Sequence, residues 1–184
     1  LSTGHLALVK SYTGDIEAGL RVTEPIVRAV EGSDEAVYVP RLAQARGRLA
    51  LMTGDYEAAA EWFRSDVREG PMAGSLITAR VLPGLAAALR HLGRADEAAA
   101  AAERALTTAR QLGVPYLVAD ALEEQAHQAA PTDPDTAERL HHESLATRFE
   151  HGVRTFLVDN LDALAGLAAR AGRHAEAARL LAAS

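Results

Sequence analysis

Hydrophobic residues along this chain recur at intervals of three and four. In RVLPGLAAALRHLG (80–93), Leu82, Leu85, Ala86 and Leu89 stand at i, i+3, i+4 and i+7, the one-sided stripe of an amphipathic helix. RLAQARGRLALMTG (41–54) and ADEAAAAAERALTTARQLG (95–113) are patterned in the same way. The stripes come in pairs, and a short polar mark sits inside each pair: GDIEA at Gly14, GDYEA at Gly54, GRADEA at Gly93, TDPDTA at Thr132 and GRHAEA at Gly172. Successive marks lie 40, 39, 39 and 40 residues apart.

A glycine at the mark suits the left-handed residue that ends a helix, and the small polar or acidic residues beside it suit the positive N-terminal end of the next one. Every unit therefore reads as helix, tight turn, helix. Longer breaks separate the units at EGSD (31–34), EGPMAG (69–74), LGVP (112–115) and HG (151–152). The pattern predicts about five hairpins, over about 1–33, 34–72, 73–113, 114–151 and 152–184, in a single all-α domain. Three prolines interrupt it. Pro25 and Pro83, the latter followed by Gly84, fall inside helices and predict bends; Pro40 fits a bend or a first-turn position.

The marks and their surroundings resemble the tetratricopeptide (TPR) repeat family over essentially the whole chain. In the second repeat Gly47, Gly54, Tyr56, Ala59 and Phe63 fall at the family spacing. Leu82, Leu85, Ala86, Leu89, Gly93, Ala98 and Ala105 do so in the third, and Leu161, Leu164, Ala165, Gly172, Ala177 and Leu181 in the fifth. Gly19 takes the alanine position in the first; the fourth has Thr132 for the turn glycine and reads as one residue short before Ala137. Trp62 has no family role. The resemblance implies an α-solenoid of antiparallel helix-turn-helix repeats wound into a right-handed superhelix. The period of 39–40 exceeds the family's usual length of about 34 residues. Stretched repeats of this kind resemble the helical regions of bacterial LuxR-type and MalT-like regulators, and the closing AGRHAEAARLLAAS (171–184) is similar to them in composition.

The resemblance also implies a function: first helices line a concave groove that takes a peptide or a partner segment. Carried over one position at a time, the groove positions are Arg41, Gln44 and Arg48 in repeat two and Arg80, Ala87, Arg90 and His91 in repeat three. Repeat four supplies Asp120, Glu123 and His127; repeat five supplies Asp159, Asp162 and Gly166. Such a groove runs from basic to acidic and would orient an extended ligand of complementary charge. No Lys and Asn set matches the family's carboxylate clamp. The alternative is a sensor, whose concave face binds a small molecule or a signalling peptide.

Composition narrows the choices further. A formal net charge of −6, with Lys10 the single lysine, argues against direct contact with nucleic acid. The chain has no cysteine, which removes disulfides, thiolate metal sites and thiol catalysis. None of the glycine-rich phosphate-binding or nucleophile-elbow motifs is present. His141 and His142 are adjacent, so on a helix they diverge by about 100°. His142-Glu143 begins the H-E-x-x-H zinc motif, but Ala146 stands where it would close. These histidines, with His91 and His127, read as solvent-facing or edge residues. The expectation is no catalysis, no cofactor and no metal.

No apolar run reaches the ~20 residues of a membrane span, and LSTGHLALVK does not read as a signal peptide. A cytoplasmic location is expected, with no membrane partner. The start lacks methionine, and the end, ARLLAAS, leaves Leu180 and Leu181 without a polar cover. Both features predict a segment of a longer polypeptide. Its partners are a protein, a peptide or adjacent domains, with a homodimer through the last helix as a consequence of isolating it.

Overall fold

The computed structural model describes residues 2–30, 41–154 and 156–184, and among them there are ten α-helices and no strand. They form two compact units, Leu1–Arg94 and Ala95–Ser184. The first holds α1 (Thr3–Tyr12), α2 (Ile16–Val30), α3 (Leu42–Thr53), α4 (Tyr56–Ser65), a short 3-10 turn (Gly70–Met72) and α5 (Leu76–His91). The second holds α6 (Ala95–Leu112), α7 (Pro115–Ala129), α8 (Pro134–Glu150), α9 (Leu157–Arg170) and α10 (His174–Leu181). Every polar mark lies between two consecutive helices.

Turn chemistry explains the regularity. Gly14, Gly54, Gly93 and Gly172 have φ of 73°, 78°, 73° and 76°, the left-handed region that costs other residues about 1–2 kcal/mol. At each one the next residue's N–H reaches back five positions, as in Asp55 N–H to the Ala50 carbonyl at 2.9 Å. The following helix is then capped: Asp55 Oδ1 accepts from Ala58 N at 3.1 Å, and Asp15 Oδ1 accepts from Ala18 N at 3.3 Å.

The fourth turn has no left-handed residue and closes instead from Asp133 N–H to the Ala129 carbonyl at 2.8 Å. Asp133 still caps, accepting from Thr136 N at 3.0 Å, and Pro134 begins α8 where its missing N–H costs nothing. Ala137 is fully buried at the place that Ala59 holds in repeat two, so the repeat is not short before it.

The core is built from alanine and leucine on the predicted stripes. Leu82, Leu85, Ala86 and Leu89 are all at most 7% exposed. In the first unit α3 packs between α1 and α5, with α2 and α4 laid against them. Phe63 of α4 is buried in this core, and two glycines make room for it. A Cβ on Gly47 would stand 2.7 Å from the Phe63 ring, and one on Gly84 would stand 2.4 Å from Cζ. Gly84 is therefore a packing glycine. The Pro83-Gly84 pair does not break α5, which runs from Leu76 to His91, and Pro25 likewise lies within a continuous α2. Pro40 and the break at 31–34 lie outside the described residues. Trp62 is half-buried under the guanidinium of Arg46, whose Cζ is 5.5 Å from the ring centroid. No helix among the described residues is long and apolar enough to cross a membrane.

Candidate functional site

The residues assigned to a groove all belong to first helices, with Arg41 as the N-cap of α3. In the first unit, Arg41 has a left-handed φ of 69° and donates from Nη1 to Gln44 Oε1 at 2.6 Å. The Arg48 guanidinium lies over the ring of Tyr12 of α1, with Cζ 4.5 Å from the ring centroid, and Tyr12 is 45% exposed. This stack places an aromatic face beside a cation, a combination worth about 0.5–1 kcal/mol at an exposed position. His91, at the end of α5, stacks on Tyr56 of α4 at 4.3 Å and an interplanar angle of 5°. Burial and the neighbouring Arg90 both push its pKa down. His91 thus belongs to an edge between a first and a second helix.

The second unit contains a polar network that spans three helices. Arg148 of α8 is 1% exposed and donates from Nη2 to Asp120 Oδ1 at 2.8 Å and to Glu123 Oε2 at 2.6 Å, both on α7. Its guanidinium also faces the ring of Phe156, 5.3 Å away, and Phe156 is the N-cap of α9 at a left-handed φ of 64°. Next to this group, His127 Nε2 lies 3.9 Å from Glu123 Oε1, and the His127 ring meets His141 edge to face at 5.0 Å. His141 shares a hydrogen bond of 3.3 Å with Asn160 Nδ2, and Ser144 Oγ lies 3.3 Å from Asn160 Oδ1 while donating to the Ala119 carbonyl at 2.9 Å. His141, Ser144 and Asn160 are at most 1% exposed.

Burial sets the protonation of two of these groups. It is the largest effect on Glu123, whose pKa rises to about 7; Arg148 opposes the rise, and the charges of Asp120 and Asp159 add to it. It also pushes His141 down to about 4, helped by His127, His142 and Arg148. His141 is therefore a neutral core histidine, which corrects its reading as a solvent-facing or edge residue; His142 beside it is exposed.

Asp120, Glu123 and His127 thus come together, but around an arginine that first-helix positions alone do not include. Asp159 acts on Glu123 electrostatically and is exposed, as is Asp162. One signal for the missed residues exists. Ala137, Leu140, His141, Ser144 and Arg148 are the buried positions of α8 and follow helical periodicity, so the polar members sit on the inward stripe. An arginine there implies a buried carboxylate partner.

A hollow of about 480 Å³ opens between the α7–α8 turn and the end of α9, lined by Ala130, Pro131, Pro134, Leu167, Arg170 and Ala171. It contains none of the assigned groove residues. Among the described residues, no group of three or more His, Asp or Glu could hold a metal ion.

No family model and no curated protein matches the chain. Solved structures do resemble it. A Rap protein complexed with Competence and Sporulation Factor superposes over 97% of this chain and 50% of its own, at a TM-score of 0.83 and 14% identity. The apo form of RapI matches over 96% and 67%, at 0.67 and 11%. A kinesin light chain from Podosopora anserina with nearly identical TPR-like repeats matches over 97% and 89%, at 0.62 and 16%. The chain spans half the length of the first of these proteins. The likeness shows the fold, an all-α array of TPR-like helical repeats.

Proposed function

We propose that this chain is a peptide- or protein-binding regulatory scaffold with no catalysis of its own, and that it forms the TPR-like segment of a larger cytoplasmic bacterial regulator of the LuxR-type or MalT-like kind. One observation carries the reading. A protein of the same fold is complexed with Competence and Sporulation Factor, and the likeness extends over 97% of this chain. The stretched period of 39–40 residues supports the narrower assignment. In the first unit Arg41, Gln44, Arg48, Arg80, Arg90 and His91 would meet acidic parts of a ligand. In the second, Asp120, Glu123, His127, Asp159 and Asp162 would meet basic ones, with Arg148 offsetting part of their charge.

The test begins with a random peptide library displayed against the folded chain, after which enriched sequences are synthesised and titrated. The expected outcome is enrichment of extended peptides with charged residues, whose affinity falls by about tenfold or more when Arg41, Arg48 and Arg80 are all replaced by glutamate, as fits the loss of charge pairs across an interface. Undiminished binding by that triple variant would refute the groove assignment. A library in which nothing is enriched would refute peptide binding itself.

A further inference from the structure

Arg148 has an unusual position among the charged groups of the second unit. It projects from a second helix, α8, and is 1% exposed. It joins α7 through two carboxylates and α9 through the ring of Phe156. Phe156 caps α9 with a positive φ, a conformation that costs a non-glycine residue about 1–3 kcal/mol and persists only where its surroundings hold it. The Phe156 carbonyl also accepts the first-turn hydrogen bond of α9 from Asn160 N at 3.3 Å. The start of α9 therefore carries a ring that stands against the Arg148 guanidinium.

We propose that Glu123 and Arg148 form a proton-operated latch: with the Glu123 carboxylate charged, Arg148 is clamped between α7 and Phe156 and holds the start of α9, and with the carboxylate neutral that hold loosens. Neutralising the carboxylate removes its Coulomb attraction for the guanidinium, while the hydrogen bond from the still-cationic Arg148 remains, so the Glu123 contact weakens. Asp120 keeps the other, so the latch loosens without releasing α8.

The charged and titratable groups around Glu123 determine when this happens. Arg148 on α8 favours the charged form, while burial, Asp120 on the same helix and Asp159 on α9 oppose it. Their balance leaves the group titrating at about 7. His127, one turn along α7, lies 3.9 Å away, and His141 of α8 beyond it stays neutral because its own pKa is about 4. α6 also packs on α7, and its Ala98 carbonyl accepts from Gln128 Nε2 at 3.1 Å. The inference goes beyond the binding reading and does not depend on it, because the latch operates without a ligand.

The experiment uses the whole chain. The side-chain N–H signals of Arg148 are followed by proton–nitrogen correlation spectra through neutral pH, alongside amide exchange over the first turn of α9, corrected for the intrinsic pH dependence of exchange. In the wild type the Arg148 signals should move with a midpoint near 7. Corrected exchange at Asn160 should be about tenfold slower on the alkaline side, as fits a hydrogen bond to a charged group. Glu123→Gln should abolish both changes. Phe156→Leu should keep the Arg148 midpoint and lose the exchange effect. Arg148 signals that stay fixed in the wild type overturn the proposal, and so does a midpoint that survives Glu123→Gln. If that variant fails to fold, the wild-type titration and the Phe156→Leu exchange decide alone.

Discussion

Glu123 and His141 are shifted in opposite directions by the same burial, and this has a measurable consequence for stability. Glu123 rises from an ordinary value of 4.5 to about 7. The folded chain therefore holds a proton that the unfolded chain has already lost. Its contribution is fully present below pH 4.5 and is lost as pH rises through 7. His141 falls from 6.5 to about 4, so its contribution is present above 6.5 and is lost as pH falls through 4. The two shifts are of similar size, and at about 1.4 kcal/mol per pH unit each contributes roughly 3 kcal/mol. Between pH 4.5 and 6.5 the two slopes have opposite signs and offset one another.

Single substitutions should uncover the slopes. Urea unfolding followed by circular dichroism, repeated across that range for the wild type, Glu123→Gln and His141→Gln, reads each group as a difference from wild type. The stability of wild type minus that of Glu123→Gln should fall by about 3 kcal/mol as pH rises from 4.5 to 7. The difference for His141→Gln should rise by about the same amount from pH 4 to 6.5. If either variant differs from wild type by an offset independent of pH, the protonation states assigned to the network are wrong.

Two further outcomes follow from packing and charge. Gly84→Ala puts a methyl 2.4 Å from Phe63 Cζ and should destabilise the chain by about 1–3 kcal/mol despite the better helix propensity of alanine, whereas Gly166→Ala, whose nearest neighbour is 3.6 Å away, should stabilise it by about 0.5–1 kcal/mol; thermal or urea unfolding distinguishes them. Arg148→Met leaves Asp120 and Glu123 without their buried cation and should cost about 3–5 kcal/mol. Adding Asp120→Asn and Glu123→Gln should recover most of that loss in the same unfolding assay, since a neutral site no longer needs a counter-charge.

The hairpin architecture was legible because its causes are local. A glycine in the left-handed region and a capping carboxylate fix a turn within about six residues, and both recur in register with the polar marks. The alanine and leucine stripes follow from helical period alone. The role of Gly84 was not legible. Beside Pro83 it reads as a point of bending, and only the arrival of Phe63 from the preceding helix makes its missing side chain a requirement of packing. The fourth turn was misread for a related reason. A turn without a left-handed residue looks like a deletion in sequence, whereas Asp133 and Ala137 show that the frame is kept.

The candidate site was half legible, and the missing half changes its chemistry. Reading only first helices gives the second unit a face of carboxylates with one histidine. Arg148 reaches that face from a second helix, through a buried position where pattern predicts an apolar residue. Its presence converts Asp120 from a free charge into half of an ion pair, and desolvation keeps Glu123 partly protonated at neutral pH. The negative field over that face is therefore weaker than a count of acidic residues implies, and it rests more on the exposed Asp159 and Asp162. In the first unit the arginines read from sequence are half-buried: Arg48 lies over a half-exposed Tyr12, and Arg41 donates to Gln44. A half-exposed guanidinium is open to screening by salt, whereas a buried pair keeps its strength but offers little charge to a partner. Added salt should accordingly weaken contacts to the first unit's cations more than it loosens the Arg148 network, and pH should act mainly on the second unit.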